Sequence, residues 1–202
     1  MSGRAHRQGP PAGSGSIVLG IIRLARGRAD GIRQFGATRD AFLASLAPLI
    51  ALPLVGGVRM LLGGGGLGVV SDLLASLCAL VAPPVLSFEI ARLWGRQAAW
   101  LRFATAFNWC QWAIPLVGGM LVVVLGILAA LGLPSVLTWN ALLSGLALYG
   151  LWLHWFLARH GLGLSPTRAG LMVFGVNSIT VLIVLGPRML GLINSGAGLG
   201  DK

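Results

Sequence analysis

Six polar side chains able to exchange protons or form hydrogen bonds lie inside, or at the ends of, long apolar runs: Asp72, Glu89, Asn108, Gln111, His154 and Asn177. An ionisable group within lipid is a functional candidate by default, because its charge is costly there. Glu89 and His154 are residue types that serve as general acid and base, and would have to converge at headgroup level to modify a lipid. His154 and Asn177 are types that line a solute path through a membrane. Each residue also has a structural reading. Arg92 follows Glu89 at i+3, close enough to pair on one helical face. Asp72 begins an apolar run at the level expected for Arg59 or Arg188, and an ion pair with either accounts for it. His154 shares a helical stripe with Asn140 and Ser144 that is expected to face the bundle, with a hydrogen bond to Asn108 or Gln111. His160, six positions on, faces elsewhere, so the two histidines do not make a metal site. Asn177, with Ser178 and Thr180, is expected to bond across helices, at about 1 kcal/mol for each contact.

No GxSxG, HExxH, Walker A or paired-carboxylate pattern occurs, so no enzyme activity, metal or cofactor is expected. Cys78 and Cys110 fall in apolar runs without CxxC spacing, and read as inert buried thiols.

The elements that must position these residues are membrane spans. The 202 residues are 56% hydrophobic and only 10% charged, against about 25% charged in a soluble domain. The charges cluster between apolar runs, which predicts an all-α polytopic bundle. Five runs approach the roughly 20 residues needed to cross a bilayer: about 41–62, 67–93, a third within 103–133, 136–157 and 167–190. Pro48 and Pro53 interrupt the first. Pro83 and Pro84 interrupt the second and free backbone carbonyls that must find partners inside the bundle. Together the spans form a membrane domain over 41–190. Residues 1–16 are Gly, Pro, Ser and Arg rich, and are expected to be a disordered tail; 191–202 read as a flexible C-terminal tail. Between tail and spans, 17–40 form a basic segment whose first twenty residues read as one interfacial helix. Ile17, Ile21, Leu24, Ile32 and Phe35 share one face, and Arg23, Arg26, Asp30 and Arg33 the other. Leu19 and Arg28 break this pattern.

The net charge of +10 does not point to nucleic acid, since the arginines flank apolar spans and form no aromatic-interleaved face. Anionic headgroups are the expected partners, through Arg23, Arg26, Arg33, Arg92, Arg96 and Arg102. Arg159, Arg168 and the arginines from Arg4 to Arg39 lie on the same side as these; only Arg59, Arg188 and Lys202 lie on the other. That asymmetry places the N-terminus in the cytoplasm and, after five spans, the C-terminus outside.

The stretch RFATAFNWCQWAIPL (102–116) opens the third run. From Phe103 to Leu133 a helix would be about 46 Å long, against roughly 30 Å of hydrocarbon. Counting back about 20 residues from Leu131 puts the inner boundary near Trp112. Asn108, Trp109, Gln111 and Trp112 are therefore expected at the water–lipid interface, as an aromatic anchor.

This layout resembles the Yip1 family of small five-span membrane proteins. The likeness covers roughly Ala41 to Leu190: a cytoplasmic N-terminal segment, five close-packed spans, a charged loop ARLWGRQAAWLRF (91–103) and a short loop HGLGLSPTRAG (160–170). The acidic DLYGP-type motif of eukaryotic members is missing, and no functional residue is carried over. The resemblance implies little beyond a bundle of unassigned function. The small loops, the basic amphipathic segment and the absence of catalytic sets lead to the expectation of a non-enzymatic protein of a bacterial inner membrane, acting through lipid, a membrane-protein partner or a second copy of itself. The alternative is a small transporter or channel subunit.

A reporter active only in the cytoplasm should work when fused to Met1 and fail when fused to Lys202. Activity at both ends would overturn the five-span count.

Overall fold

Gly27 ends the first helix. Its backbone takes φ +75°, a left-handed conformation that costs residues with a Cβ about 1–2 kcal/mol, and α1 (Ser14–Ala25) stops just before it. The chain resumes as a 3-10 turn, Ala29–Gln34. The single interfacial helix expected over 17–36 is thus two pieces folded onto each other. Gly20 and Gly31 permit the contact: a Cβ on Gly31 would sit 2.9 Å from the Gly20 carbonyl oxygen, and one on Gly20 2.7 Å from the Phe35 ring. Arg23 and Arg28 both reach Asp30, at 3.1 and 3.3 Å, and brace the turn. The expected apolar face is real, but it covers protein instead of lipid. Leu24 is fully buried and Phe35 nearly so, with Ile17, Ile21 and Ile32 packed beside them. Val18, Leu19 and Ile22 form the outward apolar surface, which is why Leu19 did not fit the projected face.

The structure, a computed structural model, describes residues 14–64, 66–132 and 135–197. Among these there are helices and turns and no strand. After α1 come α2 (Arg39–Leu62), α3 (Leu67–Leu93), α4 (Gln97–Cys110), α5 (Ala113–Ala130), α6 (Ser135–Gly161) and α7 (Pro166–Ala197). Five helical stretches are long and apolar enough to cross a membrane: α2, α3, α4 with α5, α6 and α7. The chain is therefore a helical, membrane-type bundle preceded by a short amphipathic helix. Thr38 starts α2 by accepting the Ala41 N–H at 3.2 Å, satisfying one of the donors a helix leaves open at its start. The helix α7 passes Leu190, where the last span was expected to end, and the expected N-terminal tail gives way to α1 at Ser14. What remains of the two expected tails, 1–13 and 198–202, lies outside the described residues.

Pro115 divides the third span. It has no N–H for the Gln111 carbonyl, and its ring crowds that group. The backbone stays right-handed helical through Gln111 (φ −56°, ψ −28°) and Trp112 (φ −72°, ψ −21°). So α4 and α5 are two arms of one kinked helix, bent where the span-length count placed the boundary.

The spans pack in the order α2, α3, α7, α6, α5, and among the described residues α2 does not pack on α5. The arc is open on that side. At the Arg-rich end α4 fills its middle, packed on α2, α3 and α6 with α1 over it. Phe103, Ala104, Ala106 and Cys110 are buried there. Leu73 of α3 reaches into α2 at Gly57, where a Cβ would lie 2.8 Å from its methyl group. Cys110 is buried as expected, whereas Cys78 lies on the exposed face of α3.

Gly31→Ala should lower stability by about 1–3 kcal/mol, because its Cβ meets backbone that cannot swing aside. Gly170→Ala, which enters open space, should leave it unchanged or raised. Equal thermal melts of the two variants in detergent would refute the docking of α1.

Candidate functional site

Three prolines withhold hydrogen bonds at one level of the bundle. Pro83 and Pro84 give no N–H to the carbonyls of Ala79 and Leu80, and Pro115 gives none to Gln111. Ala79, Leu80, Pro83 and Gln111 all line one cavity of about 230 Å³. Its remaining wall comes from α2, α4, α6 and α7, and includes Asn108, His154, Asn177 and Thr180. Four of the six polar residues singled out in the sequence thus meet in one place. No charged side chain lines it, and most of its wall is apolar.

Asn108 is 2% exposed. Its amide donates to Ser45 Oγ of α2 at 3.0 Å, and Ser45 donates in turn to the Phe42 carbonyl at 2.6 Å. The Asn108 side chain therefore faces protein and not a water–lipid boundary. It is enclosed because α4 has neighbours on several sides. Gln111, at the kink, brings Nε2 to 3.5 Å from His154 Nε2 on α6, a long contact with one of the two expected partners. Phe107 packs on the His154 ring, with centroids 4.7 Å apart, and the Asn177 side chain also interacts with His154.

Besides its contact with His154 across helices, as expected, Asn177 turns its amide back onto α7, and the Thr180 hydroxyl does the same. The Asn177 amide donates to the Val173 carbonyl at 2.7 Å and Thr180 to Val176 at 2.8 Å, each one turn back on α7. Ser87, also on the cavity wall, donates to the Pro84 carbonyl at 2.9 Å and accepts the Trp100 indole N–H at 3.0 Å. At the kink, the Trp112 indole nitrogen is buried without a partner, a state that costs about 1–3 kcal/mol.

The other two polar residues lie elsewhere. Glu89 pairs with Arg92 at 2.7 Å on an exposed face, as the i+3 spacing suggested, and does not line the cavity that holds His154. No acid–base pair of the two is assembled. Asp72 lies on the exposed surface of α3, where the Ser76 hydroxyl donates to its carbonyl at 2.7 Å; the Arg188 side chain is outside the described residues. Asn140 and Ser144 are exposed, so the stripe drawn through His154 does not all face inward. Of the arginines assigned to headgroups, Arg23 is engaged by Asp30 and Arg92 by Glu89. Arg26, Arg33, Arg96 and Arg102 are exposed at the same end.

Ser45, Ser87 and Pro115 were not anticipated as parts of the site. Only Pro115 carried a readable signal, since a proline in a span marks the carbonyl four residues earlier. No family model matches this chain, and no curated protein or solved structure matches it.

His154→Leu should lower the melting temperature, corresponding to about 1–2 kcal/mol from the unpaired Gln111 amide. The exposed His160→Leu should not. Identical melts of His154→Leu and the parent protein would show that the Gln111 contact does no structural service.

Proposed function

We propose that this integral membrane protein holds a small, uncharged, amphipathic molecule in the cavity beneath α4, and that it acts without covalent chemistry. The observation that carries this reading is the convergence of Asn108, Gln111, His154 and Asn177, from three helices, on one neutral cavity with apolar walls. Ligand sites are built this way, with apolar surface for burial and a few polar groups for orientation. An ion would lose its hydration there without a countercharge, which excludes charged solutes. The volume of about 230 Å³ admits a compact molecule or the end of a larger one. Entry from the bilayer is open to it, because α5 contributes nothing to the wall and does not close on α2.

Transport is the second reading, favoured by one observation: proline-interrupted helices, α3 and α4–α5, flank the site. Discontinuous helices are a common construction around transport sites. The Yip1-like layout adds the expectation of a lipid or membrane-protein partner, or a second copy, at the outer faces of the spans. A bacterial inner membrane, with the Arg-rich end in the cytoplasm, is the corresponding location.

Extraction from native membranes in mild detergent, followed by native mass spectrometry, tests the proposal. A small molecule should accompany the parent protein in constant proportion and be lost from Ala79→Phe, which fills the cavity. Equal occupancy in both proteins, or none in the parent, would overturn it. A bound molecule that also crosses liposome membranes only with the protein present would establish transport.

A further inference from the structure

A second concavity, of about 500 Å³, lies at the Arg-rich end between the 3-10 turn, α4 and α6. It is separate from the membrane cavity and, unlike it, is lined by charged side chains. Arg33 enters from the turn, Arg102 from α4 and His160 from α6. The one carboxylate on its wall, Asp30, is held by Arg23 at 3.1 Å and Arg28 at 3.3 Å. Arg33 and Arg102 are exposed and have no carboxylate within ion-pair distance among the described residues. Two cations thus face one cleft with their charge uncompensated by the protein.

We propose that this cleft binds the phosphate group of an anionic phospholipid. Guanidinium groups present paired N–H donors that match phosphate oxygens, and arginine binds such groups more specifically than a point charge does. The rest of the wall is small: Ala98 and Ala99 leave room above the first turn of α4. Gly161 closes the floor, where a Cβ would lie 3.0 Å from Phe103 and 3.2 Å from Ile32. The His160 ring is supported by Phe156, at a centroid distance of 4.4 Å, so a third polar group is held at the rim. The cleft lies where α4 begins and α6 ends, which is headgroup level for a protein with these spans. Basic pockets at that depth bind lipid headgroups. A soluble phosphate compound shares the same chemistry, and the experiment separates the two sources.

The full-length protein is reconstituted in nanodiscs of phosphatidylcholine with a minor fraction of phosphatidylglycerol, and retained lipid is counted by native mass spectrometry. The parent protein should retain one phosphatidylglycerol. Arg33→Gln/Arg102→Gln should retain it at least about tenfold less, and Arg59→Gln, at the other end of α2, should match the parent. Ala98→Phe, which occupies the cleft without removing charge, should also lose the lipid and covers the case in which the double variant does not fold. In parallel, inorganic phosphate is titrated against the melting temperature in phosphatidylcholine nanodiscs. A shift seen in the parent and lost in the double variant, with no lipid retained, would assign the site to soluble phosphate and overturn the lipid source. Equal lipid retention in the parent, the double variant and Ala98→Phe, with no phosphate shift, would overturn the site altogether.

Discussion

In hydrocarbon every backbone N–H and C=O must be satisfied by the protein itself, and this constraint shapes the whole molecule. It makes each span a helix, and it makes each proline within a span an event. Where Pro83, Pro84 and Pro115 remove donors, the carbonyls left short of a partner cannot face lipid without a cost of several kcal/mol each. They belong to residues around a cavity lined by amides, an imidazole and hydroxyls. Three interrupted ladders thus border one cavity. Such a mixed apolar and polar environment is one that an uncharged hydrogen-bonding molecule can enter.

The second determinant is the kinked third span. A straight helix from Gln97 to Ala130 would overrun the bilayer, and the bend at Gln111–Trp112 instead brings α4 into the middle of the arc. Once there, the later turns of α4 cannot present polar groups to water, so Asn108 must be paired. Ser45 serves because it is already tied to the Phe42 carbonyl, which leaves its oxygen lone pairs for the amide of Asn108. Two otherwise costly buried polar groups thereby specify how α4 seats on α2. Above it, α1 and the 3-10 turn close the end of the bundle, held by the Gly20–Gly31 contact and by Tyr149, which donates to the Ala25 carbonyl at 3.2 Å.

The five spans were legible in the sequence because hydropathy and length are properties of the chain alone. The break between α4 and α5 falls at the residues where the same arithmetic put a boundary. Position along each helix was therefore readable, but direction around it was not. Asn108 illustrates the difference. Its depth permits an interfacial position, and only the packing of α2, α3 and α6 around α4 shows that it is enclosed. The 17–36 segment is amphipathic as projected, but it is two pieces instead of one helix for a local reason: the backbone turns at Gly27. Thr180 had a short-range alternative to a contact across helices, the carbonyl one turn back, whereas Asn177 makes both that bond and the contact with His154. The Glu89–Arg92 pair was legible because it is equally local. The convergence of Asn108, Gln111, His154 and Asn177 was not, because it joins three helices far apart in the chain.

Charge is sorted by α4 itself. Its first turns present Ala98, Ala99 and Arg102 to the cleft, and its later turns present Phe103, Phe107, Asn108 and Gln111 to the cavity. Arg102 and Phe103 are adjacent in sequence, yet a helix turns about 100° per residue, so neighbours serve different surfaces. The sorting follows depth. An arginine at the start of the span keeps contact with water and headgroups, while the same charge one or two turns deeper would have to be neutralised or hydrated inside the bundle. The deeper wall accordingly uses groups that are polar without being ionised. A phosphate is therefore stopped at the first turns of α4, and only an uncharged ligand can occupy the space beyond them.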